Sequence, residues 1–293
     1  MKASTALASR PAWAPIGPPN PAKGIFGLWG APQLTLHRLA HPRWDGPALR
    51  IAVIADPHVC LPWMTPDRMR AIVDQVMTLD ADIILLAGDF LADSKMPCKH
   101  LPASLIAPLF APLDAPLGVH GILGNHDWKD CPRARATNHA ENSVIDAFIA
   151  SGRPLKGNEA TALRHGDQDF WLVTMDSQMS NGRKYPGHEN PEAAFANVPD
   201  GAPCILLAHE PDYFAKGDTR PMLQISGHTH GGQFTIFGRR PMTPSNYGDR
   251  YALGHVTDGA RHLFVSAGLG YSGLPLRFWV PPEVMLIELT AET

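Results

Sequence analysis

Short apolar runs alternate with amphipathic stretches along the first half of the chain. Residues 50–55 (Arg-Ile-Ala-Val-Ile-Ala) read as a buried strand, and so do 82–87 and 119–123. Between the first two, Thr65-Pro66 offers a cap followed by a first-turn proline. Met69, Ile72, Val73, Val76 and Met77 then recur at the spacing of one helix face. Residues 101–112 and 138–150 predict further helices, the first against prolines at 102, 108 and 112. From about residue 159 the pattern changes to strands joined by short turns: 159–164, 169–175, 203–208, 222–226, 233–237, 262–267 and 283–289. The first half therefore has the βαβ signature of a parallel sheet, and the second is more mixed. Prolines crowd the N-terminus, so residues 1–25 are expected to form a poorly ordered arm, with one α/β domain over 26–293.

Polar residues collect where the apolar runs stop. The strand at 50–55 ends in Asp56-Pro57-His58, that at 82–87 in Gly88-Asp89, and that at 119–123 in Gly124-Asn125-His126-Asp127. Later, Ile205–Ala208 runs into His209, and Met222–Ile225 leads to Gly227-His228-Thr229-His230. Open α/β sheets place ligands at the carboxyl ends of their strands. Taken singly, each of these sequences is also a respectable turn. Together they supply Asp56, Asp89, Asn125 and four histidines, enough for two divalent ions that share a carboxylate, with His126 left over for proton transfer.

Composition narrows the field. The 293 residues are 44% hydrophobic, which excludes wholesale disorder, and a net charge of −3 excludes reliance on a basic field to hold a nucleic-acid duplex. Only 18% of residues are charged, yet there are 14 histidines, so imidazole is a main source of polar chemistry. Cys60, Cys98, Cys131 and Cys204 are widely spaced and read as small hydrophobes in a reducing compartment. The first 30 residues contain no unbroken apolar core of a signal peptide, and no run of about 18 apolar residues predicts a membrane span. The expected location is cytoplasmic. The Gly24–Gly30 segment (GIFGLWG) either touches a membrane peripherally or packs on its own domain.

The ordered set D-x-H, G-D, G-N-H-D, H and G-H-T-H resembles the calcineurin-like metallophosphoesterase superfamily over about residues 49–290. A second set, His228–Gln233, Ser266–Gly270, Leu274–Phe278 and Pro282-Glu283, is similar to its bacterial membrane-peripheral or exported branch. That branch includes phosphodiesterases and UDP-2,3-diacylglucosamine pyrophosphatases. The resemblance implies a four-layer αββα sandwich of two mixed sheets flanked by helices. It also implies a dinuclear, metal-dependent phosphodiesterase or pyrophosphatase that uses a metal-bridging hydroxide. A phosphomonoesterase, or a catalytically silent metal-binding module of the same fold, is the alternative. By position, Asp56, His58, Asp89 and His230 would bind the first metal. Asp89, Asn125, His209 and His228 would bind the second, with Mn, Fe, Co, Ni or Zn all compatible.

On the same match His126 donates a proton to the leaving oxygen or stabilises charge on the phosphoryl group. Asp127 either orients His126 or caps a following turn. Related phosphatases support this histidine from a Gly-Asp-x-x-Asp motif; here the next acid, Asp93, comes one residue later. Pro57 is a second departure, since a larger aliphatic residue is commoner there. The substrate expected is a small phosphoester or an amphiphilic nucleotide-lipid. Trp63, Phe237, Tyr247 and Trp279 either line a lipid-accepting groove or belong to the core. Arg239, Arg240, Arg250 and Arg277 either hold a second phosphate or are solvated. His188, His255 and His262 are candidates for the neighbourhood of the site, and the oligomeric state is not encoded in any visible pattern.

Overall fold

The computed structural model describes residues 32–182, 186–237 and 239–292. The expected arm at 1–25 and the 24–30 segment lie outside the described residues. In chain order the strands are β1 (Gln33–His41), β2 (Leu49–Ile54), β3 (Cys60–Leu61), β4 (Ile83–Leu86), β5 (Lys99–His100), β6 (Val119–Gly121) and β7 (Glu159–His165). They continue as β8 (Gln168–Met175), β9 (Cys204–Ala208), β10 (Leu223–Ser226), β11 (Gly254–Asp258), β12 (Arg261–Val265) and β13 (Glu283–Ala291). The α-helices are α1 (Pro66–Val76), α2 (Ala103–Ile106), α3 (Asn125–Lys129), α4 (Pro132–Ala136), α5 (Ser143–Ala150) and α6 (Pro191–Phe195).

Two mixed sheets form. One has the order β1-β13-β2-β4-β6, with only the β13–β2 pair antiparallel. The other has the order β11-β12-β10-β9-β8-β7, in which the four central strands are parallel and both edges are antiparallel. Strand alternation explains their stacking. In β2, Leu49, Ile51 and Val53 face Ile205, Leu207, Ile225 and Phe264 of the second sheet. Ala52 and Ile54 face outward to Met69, Ile72 and Val73 of α1 and to Phe148 of α5. Beyond the second sheet, Val173, Met175 and Leu206 are covered by Ala194 and Phe195 of α6 and by Tyr213. The result is the expected αββα sandwich. Its central strands are buried on both faces, which is why they read as unbroken apolar runs.

Helix α1 begins as its sequence predicts: Thr65 Oγ1 accepts from the Arg68 amide at 3.2 Å, and Pro66 occupies the first turn. Met77 falls at the C-cap and is exposed rather than buried with the other four. Elsewhere the structure departs from expectation. The 101–112 helix is broken into α2 and a 3-10 turn at Ala107–Phe110, because Pro108 lacks the amide that would continue the first. The helix expected from 138 starts at Ser143, where Asn142 caps it. Residues 233–237 form no strand; Phe234 and Ile236 make only isolated bridges, to Phe278 and Arg239. The turns expected after 159 are in part long crossovers, since β8, β9 and β10 are parallel neighbours. Edge strands β1 and β11 carry no sequence signal. In β1 the Leu34, Leu36 alternation is interrupted at His37-Arg38, and His37 instead packs its ring on Phe264 at 5.2 Å.

Trp44 is fully buried between the sheets, edge-on to Phe170 at 5.3 Å, with its indole N–H donating to the Pro47 carbonyl at 2.9 Å. Trp44→Ala is expected to lower unfolding free energy by about 3–5 kcal/mol. Urea denaturation checks this: the midpoint should fall with the slope unchanged.

Candidate metal centre

The parallel strands β2, β4 and β6 end on one edge of the sandwich, and β9 and β10 of the facing sheet end there too. Their carboxyl ends deliver Asp56 and His58, then Asp89, then Asn125, and from the other sheet His209, His228 and His230. All seven side chains are buried. They fall into sets whose ligand atoms lie within 4.8 Å of one another, among them Asp56, His58 and His230, and Asp89, His209 and His228. Asn125 Oδ1 joins the second set, 2.8 Å from His228 Nδ1 and 3.2 Å from His209 Nε2.

Hydrogen bonding fixes which imidazole atoms face inward. His58 Nδ1 and His209 Nδ1 each stand 2.6 Å from a carbonyl oxygen, of Leu91 and Ala87 respectively. A carbonyl only accepts, so both Nδ1 atoms carry hydrogen and both Nε2 atoms point into the site. His228 is turned the other way, with Nε2 donating to the Pro244 carbonyl at 3.0 Å and Nδ1 facing Asn125. Asp89 Oδ1 accepts from the His126 amide at 2.7 Å, whereas Asp89 Oδ2 is buried and receives no hydrogen bond. His209 Nε2 and His58 Nε2 stand 3.2 and 3.5 Å from that oxygen. Converging lone pairs with an orphaned carboxylate oxygen at their middle need cations, so the donor set fits divalent metal ions.

Electrostatics agree. Burial drives the His58 imidazole down to about 4 and holds His228 and His230 well below the ordinary histidine range, so all three are neutral, as metal-binding imidazoles must be. Burial, reinforced by the charge on Asp89, raises Asp56. At His209 burial opposes a proton, but the Asp89 carboxylate outweighs it and raises the group.

The backbone is bent to bring these groups together. Asp56, His58, Asp89, His228 and His230 have φ of 48°, 42°, 59°, 69° and 52°. Left-handed conformations at non-glycine residues cost of order 1–3 kcal/mol each and cluster at functional sites. Glycines let the loops touch: a Cβ on Gly124 would lie 2.2 Å from Asp89 Oδ1, and one on Gly227 would lie 2.4 Å from Asp56 Oδ2.

His126 is buried beside the ligands, its ring edge-on to His58 at 5.0 Å. Its Nδ1 is bonded to Asp130 Oδ2 at 2.5 Å. Asp130 has no counterpart in the sequence reading; its only signal there is an i,i+4 position relative to His126. Burial works against its charge, but the His126 contact dominates and lowers Asp130 to about 2. Asp93 Oδ1 is 3.9 Å from the same nitrogen, and its carboxylate is occupied by Lys95 N, Ser272 Oγ and Gly273 N. Asp127 does not cap a following turn: it lies in the first turn of α3 itself, with Gly124 as the N-cap. Its oxygens accept from the amides of Gly124, Asp89 and Leu91 at 2.8–2.9 Å.

The expected substrate residues are dispersed. Arg277 is buried beneath the ligands, donating to the carbonyls of Ala267, Gly268, Gly270 and His230, so it braces loops rather than facing a substrate. Trp63 is half-buried against Cys60, Met96 and Tyr271, with its indole N–H on the Pro97 carbonyl. Arg239, Arg250, Phe237, Tyr247 and Trp279 are exposed on the loops that follow His230 or lie near them. His188 packs on Trp128 at 4.2 Å, and Trp128 in turn donates to Asp176. His255 and His262 pair with each other on β11 and β12. The cysteines are free, and all but Cys98 are buried.

The calcineurin-like phosphoesterase family profile matches residues 49–232. The chain is 28% identical to the uncharacterized metallophosphoesterase YkuE of Bacillus subtilis, over 84% of this chain and 80% of that one. It is 29% identical to phosphodiesterase YaeI of Escherichia coli, over 88% of each. It is 26% identical to UDP-2,3-diacylglucosamine pyrophosphatase LpxG of Chlamydia trachomatis, over 96% of this chain and 93% of that one.

Asp89→Asn is expected to remove most bound divalent metal, because the shared carboxylate loses its charge while the fold's hydrogen bonds can persist. Elemental analysis after Mn²⁺ loading and gel filtration measures this directly. Retention of wild-type metal content by the variant would refute the bridging position.

Proposed function

The chain belongs to the calcineurin-like phosphoesterase family and is a metal-dependent phosphoester hydrolase, and from that premise we propose that it cleaves diester or pyrophosphate bonds of small or amphiphilic molecules. The observation that carries the reading is the His126–Asp130 pair set against the ligand cluster. Asp56, His58, Asp89, Asn125, His209, His228 and His230 would hold divalent ions, which when bound would polarise a phosphoryl oxygen and favour loss of a proton from the attacking water to solvent near neutral pH. The P–O bond to the leaving group breaks as the water oxygen bonds to phosphorus. The proton on His126 Nε2 passes to the departing oxygen, and Asp130 holds the ring in line and balances its charge. Asp127 acts one step further back, fixing the backbone of Asp89 and of the helix that carries His126.

Diester and pyrophosphate cleavage draws support from the likeness to phosphodiesterase YaeI and to UDP-2,3-diacylglucosamine pyrophosphatase LpxG. An amphiphilic substrate draws support from an exposed apolar surface on the loops that follow His230 in sequence. Phe237 is 102% exposed and Trp279 69%, with Ile236 and Met242 exposed nearby and Arg239 and Arg250 among them. Aromatic and arginine side chains mixed in this way suit the headgroup region of an anionic lipid surface. Among the described residues no helix is long and apolar enough to cross a membrane.

His126→Ala is expected to keep its metal and lose about 10²–10⁴-fold in kcat on a phosphodiester with an alkyl leaving group. Asp130→Asn should lose about 10–100-fold. If Asp130 acts through His126, its loss falls on alkyl leaving groups far more than on nitrophenol, which needs no proton. Equal losses on both would reduce Asp130 to a purely structural part. A metal-loaded wild type that turns over monoesters but no diester or pyrophosphate would replace the proposed substrate class.

Phe237→Ser with Trp279→Ser is expected to reduce cosedimentation with phosphatidylglycerol vesicles several-fold while leaving hydrolysis of a soluble diester unchanged. Unaltered vesicle binding would remove the membrane contact.

A further inference from the structure

Apart from the shared Asp89, the ligands of the second metal position arrive on separate elements: Asn125 on α3, His209 after β9 and His228 after β10. Their atoms nonetheless converge, with Asn125 Oδ1 3.2 Å from His209 Nε2 and 2.8 Å from His228 Nδ1. Helix α3 follows β6 of the first sheet, so no strand pairing fixes it against the second sheet, which carries both histidines.

Two residues outside the ligand set span that gap. Strand β8 runs parallel beside β9 and ends at the same edge, where the chain continues into Asp176 and Ser177. Asp176 Oδ1 accepts from the Trp128 indole N–H at 2.8 Å, and Trp128 lies three residues after Asn125 on the same helix. Ser177 Oγ donates to Glu210 Oε1 at 2.5 Å, and Glu210 directly follows His209. The Glu210 carbonyl accepts from Gln224 Nε2, which also donates to Ser226 Oγ, two residues before His228. Trp128, Ser177, Glu210 and Gln224 are all buried, so water does not compete for these bonds. Asp176 is itself fastened, since Oδ1 also accepts the Ser177 amide and its own amide donates to Asn158 Oδ1. The ligands of the first position are held differently: Asp56 and His58 share one loop, and His230 is braced by Arg277.

We infer that Asp176 and Ser177 are positioning residues that fix the separation of Asn125 from His209, and through it the affinity of the second metal position. This rests on the two-ion reading of the centre. Metal–ligand distances tolerate only about ±0.2 Å, so a helix released from Asp176 carries Asn125 out of register with the histidines. Asp56, His58, Asp89 and His230 are left in place. Loss of the bracket therefore weakens one ion and spares the other.

The test is a calorimetric Mn²⁺ titration of the metal-stripped full chain. Trp128→Phe removes the indole donor while keeping a ring against His188, and Ser177→Ala removes the hydroxyl donor to Glu210. Each should raise one of the two Kd values about 10–100-fold, the same one that Asn125→Ala raises, and leave the other unchanged. Asp176→Ala should do likewise, whereas Asp176→Asn keeps an acceptor at Oδ1 and should stay close to wild type. Adding Trp128→Phe to Asp176→Ala should cost little more than Asp176→Ala alone, because both delete the same bond. Equal weakening of both ions, or no weakening in Trp128→Phe and Ser177→Ala, overturns the positioning role. A wild type that takes up a single ion would instead overturn the two-ion centre, and the bracket with it.

Discussion

The centre is organised around one buried carboxylate that is fastened everywhere except at the atom it presents. Asp89 Oδ1 is held by the His126 amide, its own amide by Asp127, and its carbonyl accepts from the His58 amide at 3.0 Å. The loops after β2, β4 and β6 are therefore tied to one residue, and only Oδ2 is left to face the histidines of the second sheet. A carboxylate oxygen buried without a donor is expensive, and so are imidazole lone pairs pointed at it. The same set of atoms becomes favourable once divalent cations enter. The orientation of three of the rings follows from that need, since a backbone carbonyl stands behind His58, His209 and His228 and accepts the hydrogen of the outer nitrogen, whereas His230 Nδ1 accepts from Arg277.

Such a site cannot stabilise itself. It contains five left-handed non-glycine residues and several loops in closer contact than a Cβ would allow. Stability comes from the sheets behind it, where β2, β4, β9 and β10 are buried on both faces. Their parallel direction does two things with one arrangement. It places every strand's carboxyl end at the same edge, and it holds those ends within the precision of a packed core, so that the ligands need not reorganise to bind a cation. The buried Arg277 and Glu210 extend this bracing into the loops, Glu210 by accepting from Ser177 Oγ and the Gln178 amide.

The parts legible in the sequence are those whose physical cause is local. Strands such as 50–55 announce themselves because both faces are apolar, and α1 because its cap, proline and face fall in register. The seven candidate ligands are legible because each lies within a few residues of the end of such a run, so that predicting the strand predicts where they gather. Edge strands β1 and β11 are not, since half of their pattern is set by what they lean on, as His37 leans on Phe264. Residues 233–237 look like a strand by composition, yet the chain has just turned through Gly231 and Gly232 and makes only single bridges there. The burial of Arg277 is also invisible locally, because the carbonyls that it satisfies belong to loops brought together only by the fold.

Asp130 shows how a chemical requirement can outlast the motif that usually meets it. A histidine that donates from Nε2 needs an acceptor on Nδ1, and the related pattern supplies one from an aspartate three residues beyond the bridging carboxylate. In this chain that spacing is lengthened by one, and Asp93 turns away to bind Ser272 and Gly273, joining two loops of the site. The vacated role passes to α3. Because Asn125–Lys129 is helical, the residue four after His126 lies on the same face, and its carboxylate reaches Nδ1 at 2.5 Å. Histidine and support then ride on one turn of helix, which Asp127 caps onto the Asp89 loop. His126 is consequently positioned against the candidate ligand cluster through a single element, and its alignment depends less on the longer Gly-Asp loop than the motif alone implies.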